Sequence, residues 1–427
     1  MKKAAGQLCI ILRAVLFIGF SIRIVLGLVW IVFHFMEVQE FAQIRSGIYP
    51  LFVQAFRSVP QVLYVLQLGV AFGAGWQLFK TLGISGRLWR IWGSAVLFTF
   101  PMAMQCHLAL LPYSFVSSLA LLELSFCMQA ITENPSLDLA KLIQAGCCML
   151  GLALLLPEYV WLGIIPLVLT VLLRLRKLWS QSKRLFYTCL LVAAFCGMAG
   201  GIGSLVYEGD SASRSFWASI ASRTAWPTFW VDSSRWSEGL YNAVGESAWD
   251  IAIRPGNMEE ILQPLLESKV GIEQSDKYYR ELAAIAWVMH RNLILRQVAW
   301  DILIYSAPEA VLQAQLTGVG YDSLSGTNYE IMIMRHPAMT KCYVSYSCWW
   351  FGVSLVIAVL LAPMRLMAEG RFCCRRYLAF AVVAALWSAV IVLYYTMQGA
   401  GIADYKCTLA VGQLWYLLAL PACCRGE

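Results

Sequence analysis

The chain has 427 residues, 60% hydrophobic and only 13% charged, where a soluble domain carries roughly 25% charge. Its apolar residues gather in runs near the ~20 that take a helix across ~30 Å of hydrocarbon, which excludes a transmembrane β-barrel with its short alternating strands. The net charge of +7 is divided unevenly: residues 208–341 hold sixteen acids against eleven bases, so this block sums to about −5 and the rest to about +12. Such a split predicts two environments.

The fold class expected is an all-α polytopic membrane protein with about ten transmembrane helices and one mainly helical extracytoplasmic domain between spans seven and eight. In chain order the spans fall at roughly 14–36, 60–79, 91–107, 113–132, 139–156, 159–173 and 185–206, then 343–363, 377–395 and 407–422. Only Pro157 and Glu158 separate spans five and six, so this pair also reads as a re-entrant hairpin, which leaves the topology unchanged. Three regions follow: a transmembrane core at 1–206, the polar domain at 207–342 and a C-terminal membrane segment at 343–427.

Orientation comes from short basic loops. Lys2, Lys3 and Arg13 precede span one. Lys80, Arg87 and Arg90 lie between spans two and three, and Arg174 to Arg184 between six and seven. Arg365 to Arg376 lie between eight and nine, and Arg425 follows span ten. All are cytoplasmic if both termini are inside, and the polar block is then outside, in a cell-membrane protein. Arg13 and Arg23 interrupt the first apolar run and no small-x-small site follows it, so an uncleaved first helix is expected.

The fourteen cysteines avoid residues 207–341, so the polar domain has no disulfide framework. The four histidines show no metal-ligand spacing, and the thiols read as small hydrophobes. Cys373–Cys374 and Cys423–Cys424, beside basic residues, are candidates for acylation. Within the polar block, Asn257 and Glu260 form a capping box after Pro255-Gly256, and Ser306 to Glu309 a second. Ser275 and Asp276 are expected to start another helix. Before these helices lie Phe216, Trp217, Trp226, Phe229, Trp230, Trp236, Tyr241 and Trp249, with Arg223 and Arg235 among them. Three readings stand for this cluster: the packed core of the domain, a shelf at the membrane surface, or a platform for a sugar phosphate. Inside the membrane, Arg23 and Glu123 lie at comparable depths. An unpaired charge there costs at least ~2.5 kcal/mol, which makes them candidates for an ion pair. A transporter ranks third, because no second intramembrane carboxylate and no matching halves are present.

From span one to span seven, roughly 200 residues, the chain resembles the membrane core of the GT-C glycosyltransferases, the bacterial dolichyl-phosphate-mannose-protein mannosyltransferase-like group. The residues that carry the resemblance are Arg23 in the first helix, Leu110-Leu111-Pro112-Tyr113-Ser114-Phe115 at the start of span four, Leu155 to Trp161 with Pro157-Glu158 at its centre, and the basic exit Arg174–Lys177. The resemblance implies transfer of a sugar from a polyprenyl-phosphate donor on the outer face. It also implies a carboxylate base in the first outer loop, a divalent metal on acidic side chains, and Arg or Lys on the leaving phosphate. That loop, Glu37 to Pro60, has no DxD and no Asp-Glu pair. It offers Glu37 and Glu40 as the catalytic candidates, with Glu158 lining the cavity and Arg223 or Arg235 receiving phosphate. The partners expected are the lipid bilayer, a polyprenyl-phosphate-linked sugar and a membrane protein partner, and no nucleic acid. The alternative is a non-catalytic scaffold or accessory subunit in cell-envelope assembly, working through its aromatic-rich outer domain.

Overall fold

The structure, a computed structural model, describes residues 2–38, 47–84, 86–132, 138–156, 160–179, 182–206, 217, 221, 224–225, 228–231, 233–248, 258–306, 336–369, 375–398, 409 and 411–414. Among these, all regular structure is helical. The chain divides into two compact units, one of residues 1–208, 307–388 and 406–427, the other of 209–306 and 389–405.

The first unit holds α1 (Lys2–His34), α2 (Tyr49–Ala55), α3 (Pro60–Thr81), α4 (Arg87–Phe98), α5 (Pro101–Leu108), α6 (Tyr113–Thr132), α7 (Leu139–Leu155), α8 (Trp161–Trp179), α9 (Ser182–Val206) and α14 (Pro337–Glu369). Among the described residues, four stretches are long and apolar enough to cross a bilayer: Gly6–Glu37, Pro60–Thr81, Tyr113–Ile131 and Ala338–Leu361. Leu139–Leu155, Leu162–Leu173, Phe186–Ile202 and Ala381–Leu393 are apolar but shorter. The third expected span is two helices and not one. Pro101 forces Phe100 into an extended conformation (ψ 126°), ending α4 and placing itself in the first turn of α5, where its missing N–H costs little.

α1 and α14 pack antiparallel along their length. His34 meets His336, Trp30 meets Thr340, Gly27 meets Tyr343 and Gly19 meets Trp350, so positions advance on one helix as they retreat on the other. Glycine makes this approach possible: a Cβ on Gly19 would sit 2.0 Å from the Trp350 ring. α3 packs on both α4 and α6, and α6 to α9 form a four-helix cluster around Cys127, Leu142, Ala145, Met149, Leu167 and Phe195. Gly47 has φ 74° and its Cα faces the Leu155 carbonyl, while Ile48 N–H donates to Leu154 O at 2.9 Å. The loop before α2 is thereby pinned to the end of α7. No L side chain fits at Gly47.

The second unit holds α10 (Thr228–Val231), α11 (Glu238–Val244), α12 (Met258–Val270) and α13 (Ile272–Ser306). α15 (Arg375–Gln398) is shared between the units, dividing after Ser388. Ala221, Phe229, Trp236, Leu240, Leu262, Leu266, Tyr279 and Leu282 form the core of the second unit. Ser237 caps α11: its Oγ accepts from Leu240 N–H at 3.3 Å and donates to Glu281 Oε2 at 2.8 Å. Gly271, at φ 80°, separates α12 from α13, so α13 begins at Ile272 and not at the expected Ser275. Asp276 lies inside it, paired with Arg280 at 2.9 Å. Of the three readings of the aromatic cluster, the packed core describes Phe229 and Trp236, which are buried, and Trp217, which packs on that core under Arg280.

Candidate functional site

Glu37 follows the last turn of α1 in a short 3-10 segment, Phe35–Glu37, and its carboxylate is mostly shielded, with 14% of the side chain exposed. Two imidazoles flank it. His34 Nε2 lies 3.8 Å from Glu37 Oε2, and His336 Nε2 lies 3.6 Å from Glu37 Oε1. His34 is fully buried, stacked on Trp30 at 4.3 Å between ring centroids and edge-on to His336 at 5.1 Å. Its Nδ1 is 3.0 Å from the Trp30 carbonyl. A carbonyl only accepts, so Nδ1 carries the hydrogen, and Nε2 is left facing the Glu37 carboxylate. Trp30 is itself held by donating to Thr340 Oγ1 at 3.4 Å. The antiparallel pairing of α1 with α14 is therefore what assembles the cluster.

A chain of buried rings leads away from it. Phe35 lies 6.2 Å from Tyr64, and Tyr64 lies 6.4 Å from His107. His107 Nδ1 is 2.7 Å from Ser114 Oγ. Nearby, Gln67 Nε2 donates to Tyr49 Oη at 2.9 Å and to the Leu111 carbonyl at 3.0 Å, and Tyr49 donates to the Leu110 carbonyl at 2.5 Å. Leu110 has φ 49°, a left-handed conformation held by these bonds to its own and the next carbonyl. Tyr64 Oη, Gln67 Oε1 and His107 Nε2 are buried with no hydrogen-bond partner. Orphaned polar atoms this deep are costly.

Of the sequence-derived candidates, Glu37 belongs to this cluster. Glu40, Glu158 and Arg223 lie outside the described residues. Arg235 ends the 3-10 turn Ser233–Arg235 in the second unit and is exposed. The Arg23–Glu123 ion pair is not formed. Arg23 donates from a terminal guanidinium nitrogen to the Val96 carbonyl at 3.1 Å and lies 5.7 Å over the Phe100 ring. Glu123, fully buried in α6, offers two oxygens that meet no hydrogen-bond donor, with Gly163 packed against one of them. The two charges are spent on different neighbours: α1 faces α4 and α5, while Glu123 faces the α6–α9 cluster.

A divalent metal does not fit the described residues. Among them no three His, Cys, Asp or Glu side chains are arranged to hold a metal ion. The Glu37 cluster supplies one carboxylate, whereas a hard divalent ion takes several oxygen ligands. Sequence reasoning missed His34 and His336. His34 and Glu37 stand at i, i+3 on one helix, which was legible; the arrival of His336 depends on tertiary pairing. No family model, curated protein or solved structure matches the chain.

Proposed function

We propose that this is a multi-pass membrane protein with both termini cytoplasmic and residues 207–342 outside, and that it transfers a sugar from a polyprenyl-phosphate donor at the outer face. The observation that carries this reading is the Glu37 carboxylate, shielded at the end of α1 and flanked by the His34 and His336 imidazoles. The acceptor hydroxyl gives its proton to a Glu37 oxygen as its own oxygen bonds to the anomeric carbon. The carbon–oxygen bond to phosphate breaks, and the polyprenyl phosphate leaves with the electron pair. By the resemblance, Glu40 is the alternative base, the cavity role falls to Glu158, and Arg223 or Arg235 receives the leaving phosphate. His34 Nε2, left without a hydrogen when Nδ1 donates to the Trp30 carbonyl, is an acceptor facing the carboxylate and favours a proton between the two groups. With α4 and α5 taken as one crossing and each of the four shorter apolar helices as another, the described residues supply nine of the ten spans; the tenth, 407–422, lies mostly outside them.

The test is native mass spectrometry of the protein extracted with its own lipids, followed by transfer assays. A co-purifying polyprenyl phosphate, lost in Arg223→Ala or Arg235→Ala, is expected. Glu37→Gln should lower turnover by about 10²–10⁴-fold, the usual share of a general base. Unchanged turnover in Glu37→Gln overturns the assignment. The second reading, a scaffold in cell-envelope assembly, is favoured by the second unit having a hydrophobic core of its own. A retained protein partner with only bulk phospholipid would select it.

A further inference from the structure

α13 changes character halfway along. Its first half gives Tyr279, Leu282, Ala283 and Ala286 to the core of the second unit. At His290 the backbone leaves helical geometry (φ −127°, ψ 24°), and beyond this kink Ile294 is the one residue of large apolar type that is described as buried. Around and beyond the kink, Trp287 is 54% exposed, Val288 72%, Leu295 53% and Trp300 62%. Four large apolar side chains this exposed within fourteen residues are more than a solvated helix ordinarily carries. The charge of the same stretch is one-sided: Arg291 and Arg296 are exposed, and no acid occurs between Glu281 and Asp301. A surface depression here is lined by Asn292, Leu293, Leu295, Arg296 and Ala299, polar and cationic groups beside aliphatic ones.

We propose that residues 287–300 lie in the headgroup layer of an anionic bilayer, with Trp287, Val288, Leu295 and Trp300 at the acyl boundary and Arg291 and Arg296 on lipid phosphates. Two tryptophans, aliphatic side chains and unopposed arginines are the composition of an interfacial helix. A second copy of the same surface would bring together two patches of the same positive sign with no acid between Glu281 and Asp301 to offset them, which opposes pairing. The depression beside Arg296 accepts one phosphate with the first carbons of its chains. This surface belongs to the second unit and the Glu37 cluster to the first, and the proposal does not rest on glycosyl transfer.

Photo-crosslinking of the full chain in proteoliposomes tests it. p-Benzoylphenylalanine is placed at Val288 or Leu295, with Ser268, exposed on α12, as the reference position. In vesicles containing anionic phospholipid, lipid adducts at 288 and 295 should exceed those at 268 at least about fivefold. Arg291→Glu with Arg296→Glu, or purely zwitterionic vesicles, should reduce them several-fold, since each surface cation contributes about a few-fold to anionic binding. Crosslinks between two copies, or lipid adducts no more frequent than at 268, overturn the proposal. Because the label reports at the unaltered arginines as well, a misfolded double variant leaves the first comparison decisive.

Discussion

The two units of this chain both bury apolar cores, but they differ in what their surfaces carry and in how much polarity they bury. α1 of the first unit exposes Ile10, Ile18, Val25 and Val32 and buries Arg23; α6 buries Glu123, Gln129 and several serines. The second unit buries Phe229, Leu240, Leu262 and Leu282 and leaves charges such as Arg280 outside. Water explains the second arrangement: burial of apolar surface stabilises at about 25 cal/mol per Å². In hydrocarbon that driving force is absent between helices, and close packing and polar contacts hold them together. The difference teaches which solvent each surface was selected against. The second half of α13 belongs by this criterion with the first unit, although it sits in the second.

The largest expected effect sharpens the contrast directly. Leu282→Ala leaves a void in the core of the second unit and should cost about 2–5 kcal/mol. Limited proteolysis should then cut within 209–306 while the membrane fragment survives. Val25→Ala, on the exposed face of α1, should leave thermal unfolding of the detergent-solubilised protein nearly unchanged; an equal loss at both positions would break the comparison.

Next in size is Gly19→Leu. The added side chain starts 2.0 Å from the Trp350 ring, and the α1–α14 pair must separate. A loss of about 1–3 kcal/mol is expected, read as a lower unfolding temperature. Because the same pairing brings His336 to Glu37, the proposed transfer activity should fall by a larger factor than the stability loss alone accounts for. Gly163→Ala is milder, its Cβ meeting Met149 Cγ at 2.7 Å and Glu123 Oε2 at 2.6 Å, and should cost about 1 kcal/mol or more.

Composition and hydrophobic run length were enough to locate the four long apolar helices, because a bilayer imposes length and polarity on each segment separately; they gave no sign of α2 and joined α4 with α5. α3 and α6 begin where Pro60 and Pro112-Tyr113 announce them. The break at Pro101 was also legible, since a proline preceded by an extended residue ends a helix. The site was legible only in part. Glu37 could be singled out from its position after the first apolar run, but its two imidazoles come from residues some three hundred positions apart, and no local spacing encodes that. Matching Arg23 with Glu123 by depth failed for a related reason. Depth along a helix fixes one coordinate; the direction each side chain faces is decided by which helices pack.

That failure gives the most discriminating prediction, whose Glu123 arm has the smallest expected effect. Arg23 has a carbonyl and an aromatic face, so Arg23→Met removes a charge-assisted hydrogen bond and should cost about 1.5–3 kcal/mol. Glu123 has no donor at either oxygen, so Glu123→Met removes no hydrogen bond and replaces an unsatisfied buried group with one its thiol, methionine and leucine neighbours pack against. Such replacements are near neutral or stabilising. The unfolding temperature of Glu123→Met should therefore match or exceed that of the unmodified chain, and the double variant should show the two effects adding, as for independent sites. Non-additivity above about 0.5 kcal/mol would mean that the two groups are coupled after all. A stable Glu123→Met that loses transfer activity would instead show the carboxyl to be kept for function, at the expense of packing in the α6–α9 cluster.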